Sequence, residues 1–435
     1  MSKRRSGLSN DRRAYRCICY PEVNEANTCP SLYLSNIATN NGNGIYTLNA
    51  NTTILTCQSI ISPYGITLII PYGLVLTNNG GTITNNGTIT NNGTINGNTG
   101  SIFNNYGTIT NNGTIINLGV TINNNTLGII INNGILNFNY NGIINSIFNN
   151  IGSFTLNSGS SLNIHNSNFT NTGIITINSN SQFYNWTTYI YNNVGGKFNI
   201  YGSLYINNGG TITNYDTITS LSNGIFNIGT YSNIVNSGTI IVNDSSSLIN
   251  TGTFTNNGTV SMNLDTALTN YGSLTNSMII NGNDSSSLAN TGTFTNNGTV
   301  SMNSISSLNN IGSLTNSMTI NLYDYSAFEN NNTGTIINSG TVNANGGNIY
   351  NYNIFTNNGN VLVLGGGIVR NTGTFTNTLN LDNDDCILYN YSGGTITNTG
   401  TITNSGKINS PTIDAGCGIG IITGYSGPLG SACPP

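Results

Sequence analysis

The chain has 435 residues, of which 5% are charged, and carries a formal net charge of −4 with 54 glycines and one histidine. So few charges, set among Ile, Val, Thr, Phe and Tyr throughout, exclude a charged disordered chain, and the scarcity of Glu, Lys, Gln and Arg excludes a helical fold. No run of about eighteen apolar residues occurs, so no membrane-spanning helix is expected.

Residues 1–31 form a basic, cysteine-containing tail. Six of the nine Lys and Arg sit there, as Lys3, Arg4, Arg5, Arg12, Arg13 and Arg16. Such an arm is either a solvated terminus or a contact for nucleic acid, an acidic partner or anionic lipid. The following stretch is polar and carries Cys17, Cys19 and Cys29, so it does not read as the apolar core of a signal peptide. Residues 32–76 have longer apolar runs, such as Ile66 to Ile70, and are expected to hold an N-terminal cap and the first irregular coils.

Residues 77–410 repeat. Asp244–Asn263 and Asp284–Asn303 differ only at Ile249 and Ala289, an offset of 40. Half of that offset recurs at Gly252, Gly272, Gly292 and Gly312, each opening Gly-[Thr/Ser]-[Phe/Leu]-Thr-Asn. Within the unit Gly252 and Gly258 lie six apart, as do Gly87 and Gly93. A six-residue step inside a twenty-residue step predicts a coil with three short sides. In Thr253-Phe254-Thr255, strand alternation sends the Phe inward and both threonines outward. The expected inward column is therefore Phe254, Leu274, Phe294 and Leu314. Asn-Gly at the ends of the short sides is expected to supply the positive φ of a corner, and stacked asparagines can form ladders. A hairpin meander is the alternative, since Asn-Gly is also a hairpin signal, but three-residue strands make poor hairpins. The fold expected is all-β, a parallel β-helix or β-solenoid of about 20-residue three-sided coils. One coil has too few inward side chains to offset the entropy of ordering its backbone, so stability must come from stacking many coils.

Several motifs in the body bear on chemistry. Asn-Gly-Thr at Asn86, Asn92, Asn112, Asn257 and Asn297 fits a glycosylation sequon, yet the repeat generates it automatically. The Thr-x-Thr pairs Thr82/Thr84, Thr88/Thr90, Thr253/Thr255 and Thr293/Thr295 resemble ice-binding arrays, but Ser273 and Ser313 interrupt them. His165 has no second His or Cys beside it for a metal, and no cofactor is expected. Phe183, Tyr184, Trp186, Tyr189 and Tyr191 form an aromatic cluster suited to glycans, with Trp186, Tyr184 and Tyr189 as the contacts. Gly365-Gly366-Gly367 lacks the Lys-Ser/Thr of a phosphate loop and reads as a bulge or corner. Asp382, Asp384 and Asp385 are the one acidic cluster of the body. With Arg370 they could serve a polysaccharide-processing enzyme if they shared a groove, but a solvated loop is the simpler reading.

Residues 411–435 lose the repeat, become Gly/Pro-rich and hold Cys417 and Cys433. Cysteines at both ends of a rod suggest cap staples or cross-links between chains through Cys17, Cys19, Cys29, Cys417 and Cys433, and seven cysteines cannot all pair within one chain.

The run from Leu68 through Pro71-Tyr-Gly-Leu-Val-Leu to the Thr-Ile-Thr-Asn-Asn-Gly repeats resembles the Asn/Gly/Thr-repeat proteins of giant DNA viruses of amoebae. It is also similar to the repeat passengers of bacterial haemagglutinin-like adhesins. The resemblance covers about Leu68 to Ile408 and implies a solenoid with a structural or surface role and no catalytic residues. The expected function is a non-enzymatic, self-associating rod or fibre of a virion or particle surface, with its own copies as partner and the basic tail free for nucleic acid. An adhesin binding glycans is the alternative reading, and an enzyme or an ice-binding protein are remoter ones.

Overall fold

The computed structural model describes residues 31–117, 121–139, 141–377, 380–383, 387–391, 394–398, 401–404, 407–409 and 421–423. Each coil is three short strands. Ser247–Asn250, Thr253–Asn256 and Thr259–Met262 make one coil, and Ala267–Asn270 opens the next. Equivalent strands pair in parallel and in register, Ser247 with Ala267, Thr253 with Ser273 and Thr259 with Ile279. The chain is thus a β-solenoid with three sheets, parallel throughout the coils and called A, B and C in coil order, each of 19 strands among the described residues. Beyond the first, irregular coils the offset stretches with the corners, from 18 residues at Ile129 and Ile147 to 23 at Ile174 and Lys197.

The expected column is present. Phe254, Leu274, Phe294 and Leu314 pair in succession on sheet B and are all fully buried. Sheets A and C add parallel columns such as Leu248, Leu268 and Leu288, or Val260, Ile280 and Val300. In the regular four-residue strands the fourth residue also points inward. On sheet C this is usually an apolar or small residue, such as Met262, Gly282, Met302 and Leu322. On sheets A and B it is usually a fully buried Asn.

These asparagines solve the problem of turning a buried corner. At a short corner the backbone carbonyls turn inward and need donors. Asn256 Nδ2 donates to Gly258 O at 3.1 Å, to Ile279 O at 2.9 Å and to Asn276 Oδ1 at 2.7 Å. Along the corner between sheets B and C, fifteen asparagines from Asn91 to Asn377 repeat the last bond without a gap, at 2.7–2.8 Å. Every Nδ2 points to the C-terminal neighbour, so the rod is polar.

The expectation for the corner glycines needs correction. Gly252, Gly258, Gly272 and Gly298 do not adopt positive φ. A Cβ at Gly258 would lie 2.1 Å from Gly238 O and one at Gly272 would lie 2.2 Å from Gly252 O. Glycine is needed here because successive coils approach too closely for a side chain. Positive φ is concentrated at the third, four-residue corner between sheets C and A. There consecutive left-handed pairs recur, as Asp244/Ser245, Leu264/Asp265, Asp284/Ser285, Ser304/Ile305 and Asp324/Tyr325. The pairs are stitched by Ser245 N–H to Leu264 O, Asp265 N–H to Asp284 O and Ser285 N–H to Ser304 O, each 2.9–3.0 Å. Gly365 and Gly366 hold the same conformation at φ 61° and 82°, which makes that triplet a corner.

At the N-terminal end the strand Ala38–Asn40 pairs antiparallel with Ile45–Leu48, and the short helix Leu34–Ile37 buries Leu34 and Ile37 against the core. Reversing the strand direction and laying a helix across the end blunts an edge that would otherwise keep adding parallel strands.

Candidate functional site at an interrupted ladder

A regular solenoid carries function where its repeat is broken. The corner between sheets A and B has its own asparagine ladder, running Asn85, Asn105, Asn124 and again from Asn250 to Asn390. Between these stretches the same inward column reads Ile144, Ile164, Asn185, Ile206 and Ile228. Isoleucine has no donor for the corner carbonyls, and the corner rearranges. The sheet A strands lengthen to five residues, at Ser161–His165, Gln182–Trp186 and Ser203–Asn207. The connections beyond them, and beyond the four-residue strand Ile225–Ile228, place Asn166, Thr187, Asn208 and Tyr231 in the left-handed region, at φ 45°, 54°, 48° and 64°. For the β-branched Thr187 this is an outlier conformation that its surroundings must hold. The lone Asn185 has no asparagine above or below it to extend a ladder; it donates to Thr188 O at 3.1 Å and to Thr211 O of the next coil at 3.4 Å, and accepts from Thr188 N–H at 3.2 Å.

The aromatic cluster surrounds this corner, though not as one patch. Phe183 is not at the surface but fully buried in the core, because strand alternation sends it inward. Tyr184 and Trp186 face outward on sheet A, whereas Tyr189 and Tyr191 lie on sheet B, round the corner. On sheet A the rings form a stack along the rod. His165 lies parallel to Trp186 at 6.0 Å, Tyr184 to Trp186 at 6.0 Å and Tyr184 to Tyr205 at 5.0 Å. Trp186 Nε1 donates to Asn163 Oδ1 and Tyr184 Oη to Gln182 Oε1. Burial, and then Tyr205 beside it, hold the Tyr184 hydroxyl above the ordinary phenol range. These rings cover one another's faces. Tyr189, by contrast, is 54% exposed.

Between the two groups runs a groove of about 360 Å³, lined by Thr126, Asn145, Ser146, Ile147, Asn166, Ser167, Asn168, Thr187 and Tyr189. Thr187 Oγ1 donates to Asn166 Oδ1 at 2.9 Å, and the hydroxyls of Ser167 and Thr188 share a bond at 3.3 Å. Sequence reading found the aromatics but not the groove. The signal was the replacement of Asn by Ile at 144, 164, 206 and 228 within the repeat.

Arg370 lies elsewhere. It faces outward on sheet A, 5.6 Å from the Tyr350 ring and 6.0 Å from the Tyr389 ring, in one register column with Glu329. Asp382 occupies a strand of sheet C, paired with Leu362, so its backbone is on a different side from Arg370. Asp384 and Asp385 lie outside the described residues. So do the basic tail and Cys17, Cys19, Cys29, Cys417 and Cys433. Cys57 is disulfide-bonded. Of the sequon asparagines, Asn86, Asn112, Asn257 and Asn297 are exposed corner residues and Asn92 is half-buried.

A second departure, at the corner between sheets B and C, gives a pH prediction. Asp216 stands where most coils have glycine. Its carboxylate accepts Gly195 N–H at 2.8 Å and Thr217 Oγ1 at 2.9 Å. Those bonds, and more weakly Lys197, hold its pKa below the ordinary carboxylate range. A depressed carboxylate stabilises the fold above its unfolded pKa, and the contribution disappears as pH falls through the folded one. Asp216→Asn is therefore expected to cost under about 1 kcal/mol at neutral pH, since the site is near solvent. The difference from wild type should shrink on acidification, read by denaturant midpoints from pH 7 downwards. A difference that grows in acid would contradict this account.

No protein-family model matches this chain, and no curated protein matches it either.

Proposed function

We propose that the chain is a non-enzymatic structural rod of a virion or particle surface, self-associating and cross-linked through its terminal cysteines. The observation that carries this reading is the unbroken asparagine ladder from Asn91 to Asn377, backed by three continuous sheets. A ladder of that length ties every coil to its neighbours over most of the described body and resists bending, which suits a mechanical element. Because all its amides point one way, the two ends differ, and end-to-end contact is head-to-tail. A heterologous contact that does not close propagates into filaments. The outward positions are mainly Thr, Ser and Asn. Between Cys17 and Pro435 the sequence has only Lys197, Arg370 and Lys407 as cations. Sides so poor in charge lack the repulsion that keeps edges and faces apart.

Sedimentation velocity over a range of salt and protein concentrations tests the reading. Association that rises with concentration and changes little with salt is expected, with species that partly dissociate on reduction. A monodisperse monomer at high concentration, unchanged by reductant, would sink both the self-association and the cross-linking.

A further inference from the structure

We propose that the groove at the interrupted A–B corner is a binding site for a neutral saccharide, with Tyr189 as its stacking platform. This goes beyond the structural reading and does not depend on self-association.

The lining argues for the ligand class. Apart from Ile147 and Tyr189, every residue is Asn, Ser or Thr, and none is charged. Amides and hydroxyls offer donors and acceptors together, which is what a ligand bearing many hydroxyls requires. Among the described residues, the side-chain amides of Asn145 and Asn168 form no hydrogen bond within the chain, so both are open to a ligand. Asn166 accepts from Thr187 through Oδ1, which orients its amide nitrogen and leaves that donor available. The apolar lining is too small to bury the side chains of a peptide anchor. A polyanion needs cations, and no Lys or Arg lines the groove.

The geometry distinguishes the aromatic residues. A sugar ring packs its C–H face on an exposed aromatic face. On sheet A the faces of His165, Trp186, Tyr184 and Tyr205 are turned toward one another in the stack. Tyr189 belongs to no such stack, is 54% exposed and forms one wall of the groove. The lining comes from four successive coils, around residues 126, 146, 167 and 188. At about 4.8 Å per coil that is roughly 14 Å along the rod, which suits a short oligosaccharide lying parallel to the axis. Asn166 and Thr187, both in the left-handed region, sit in the lining, and the regular A–B corners, such as Thr251-Gly252, have no such bend.

The chain supplies its own probe. Trp186 is the single tryptophan, and it directly precedes Thr187 of the lining. The experiment titrates the full chain with neutral β-glucan, mannan and chitin oligosaccharides, and with a sulfated glycan, while following tryptophan emission and calorimetric heat. Saturable binding of at least one neutral oligosaccharide is expected, little affected by salt. Tyr189→Ala and Asn168→Ala, both at exposed positions, should each weaken it by roughly tenfold or more. Tyr205→Phe, away from the groove, should leave it unchanged. Circular dichroism of each variant establishes that the fold is intact. The proposal is overturned if no neutral oligosaccharide binds, if only the sulfated glycan binds, or if folded Tyr189→Ala and Asn168→Ala bind as wild type does.

Discussion

Replacing Asn276 with aspartate is expected to destabilise the protein by about 3–5 kcal/mol, although the two side chains have nearly the same shape. Asn276 is fully buried in the middle of the B–C ladder. Its Oδ1 accepts from Asn256 at 2.7 Å. Its Nδ2 donates to Asn296 Oδ1 at 2.8 Å, to Thr299 O at 3.1 Å and to Met278 O at 3.3 Å. Aspartate keeps the acceptor and loses the donor, so a carboxylate oxygen would face three oxygens in a fully buried site. Burying an unpaired charge is far costlier than losing one hydrogen bond. Bonds in a chain also polarise one another, so a break at the centre weakens its neighbours. The carboxyl should respond by holding its proton to a higher pH than usual. The penalty relative to wild type should therefore shrink as pH falls towards about 3.9, the ordinary aspartate value. Guanidinium midpoints at neutral and acidic pH measure both effects. A neutral-pH loss of less than about 1 kcal/mol would mean that the ladder contributes little.

Much of this was readable in the sequence, for a definite reason. Phe254, Leu274, Phe294 and Leu314 recur every twenty residues between outward Thr or Ser, and a repeat of fixed length allows only one stacking. The same periodicity showed that asparagines could form ladders. It did not show which asparagine of an Asn-Asn-Gly triplet turns inward. That depends on where the strand ends, and strands here run one residue further than the apolar pattern suggests, as in Thr253–Asn256. The aromatic cluster was visible as composition, but its division was not. Phe183 is buried because strand alternation sends it inward, and Tyr189 lies round a corner that the chain turns with Thr187 in the left-handed region. No local signal marks such a bend at a threonine. The glycines misled in another way. Asn-Gly normally announces positive φ, whereas these glycines respond to the coil beneath them, about twenty residues earlier.

That distinction makes the second large prediction, a reversal of the usual ranking of glycine substitutions. Gly159 has φ +80° and nothing within 4 Å of where its Cβ would lie. Gly298 has no positive φ, yet a Cβ there would lie 2.2 Å from Met278 O and 2.6 Å from Met278 N. Judged by backbone conformation alone, Gly159→Ala should be the harmful change. The left-handed corners nevertheless hold Leu264 and even Ile305, at φ 59° and 65°. Gly159→Ala is thus expected to cost only about 1 kcal/mol. At the short corner the obstruction is backbone, which cannot rotate aside as a side chain can. Met278 and Met318 show that this column admits a side chain where glycine occupies the neighbouring coils, at 258, 298 and 340. Gly298 lies between those two methionines, so alanine there would put a Cβ in three consecutive coils. The coils would have to part, stretching Thr299 N–H to Met278 O, now 2.7 Å, and with it the ladder beside it. Gly298→Ala is expected to cost about 3 kcal/mol, the upper end of what overpacking usually inflicts. Paired denaturant unfolding of the two variants decides the matter. If Gly159→Ala proves as damaging as Gly298→Ala, conformation rather than coil contact governs where this repeat requires glycine.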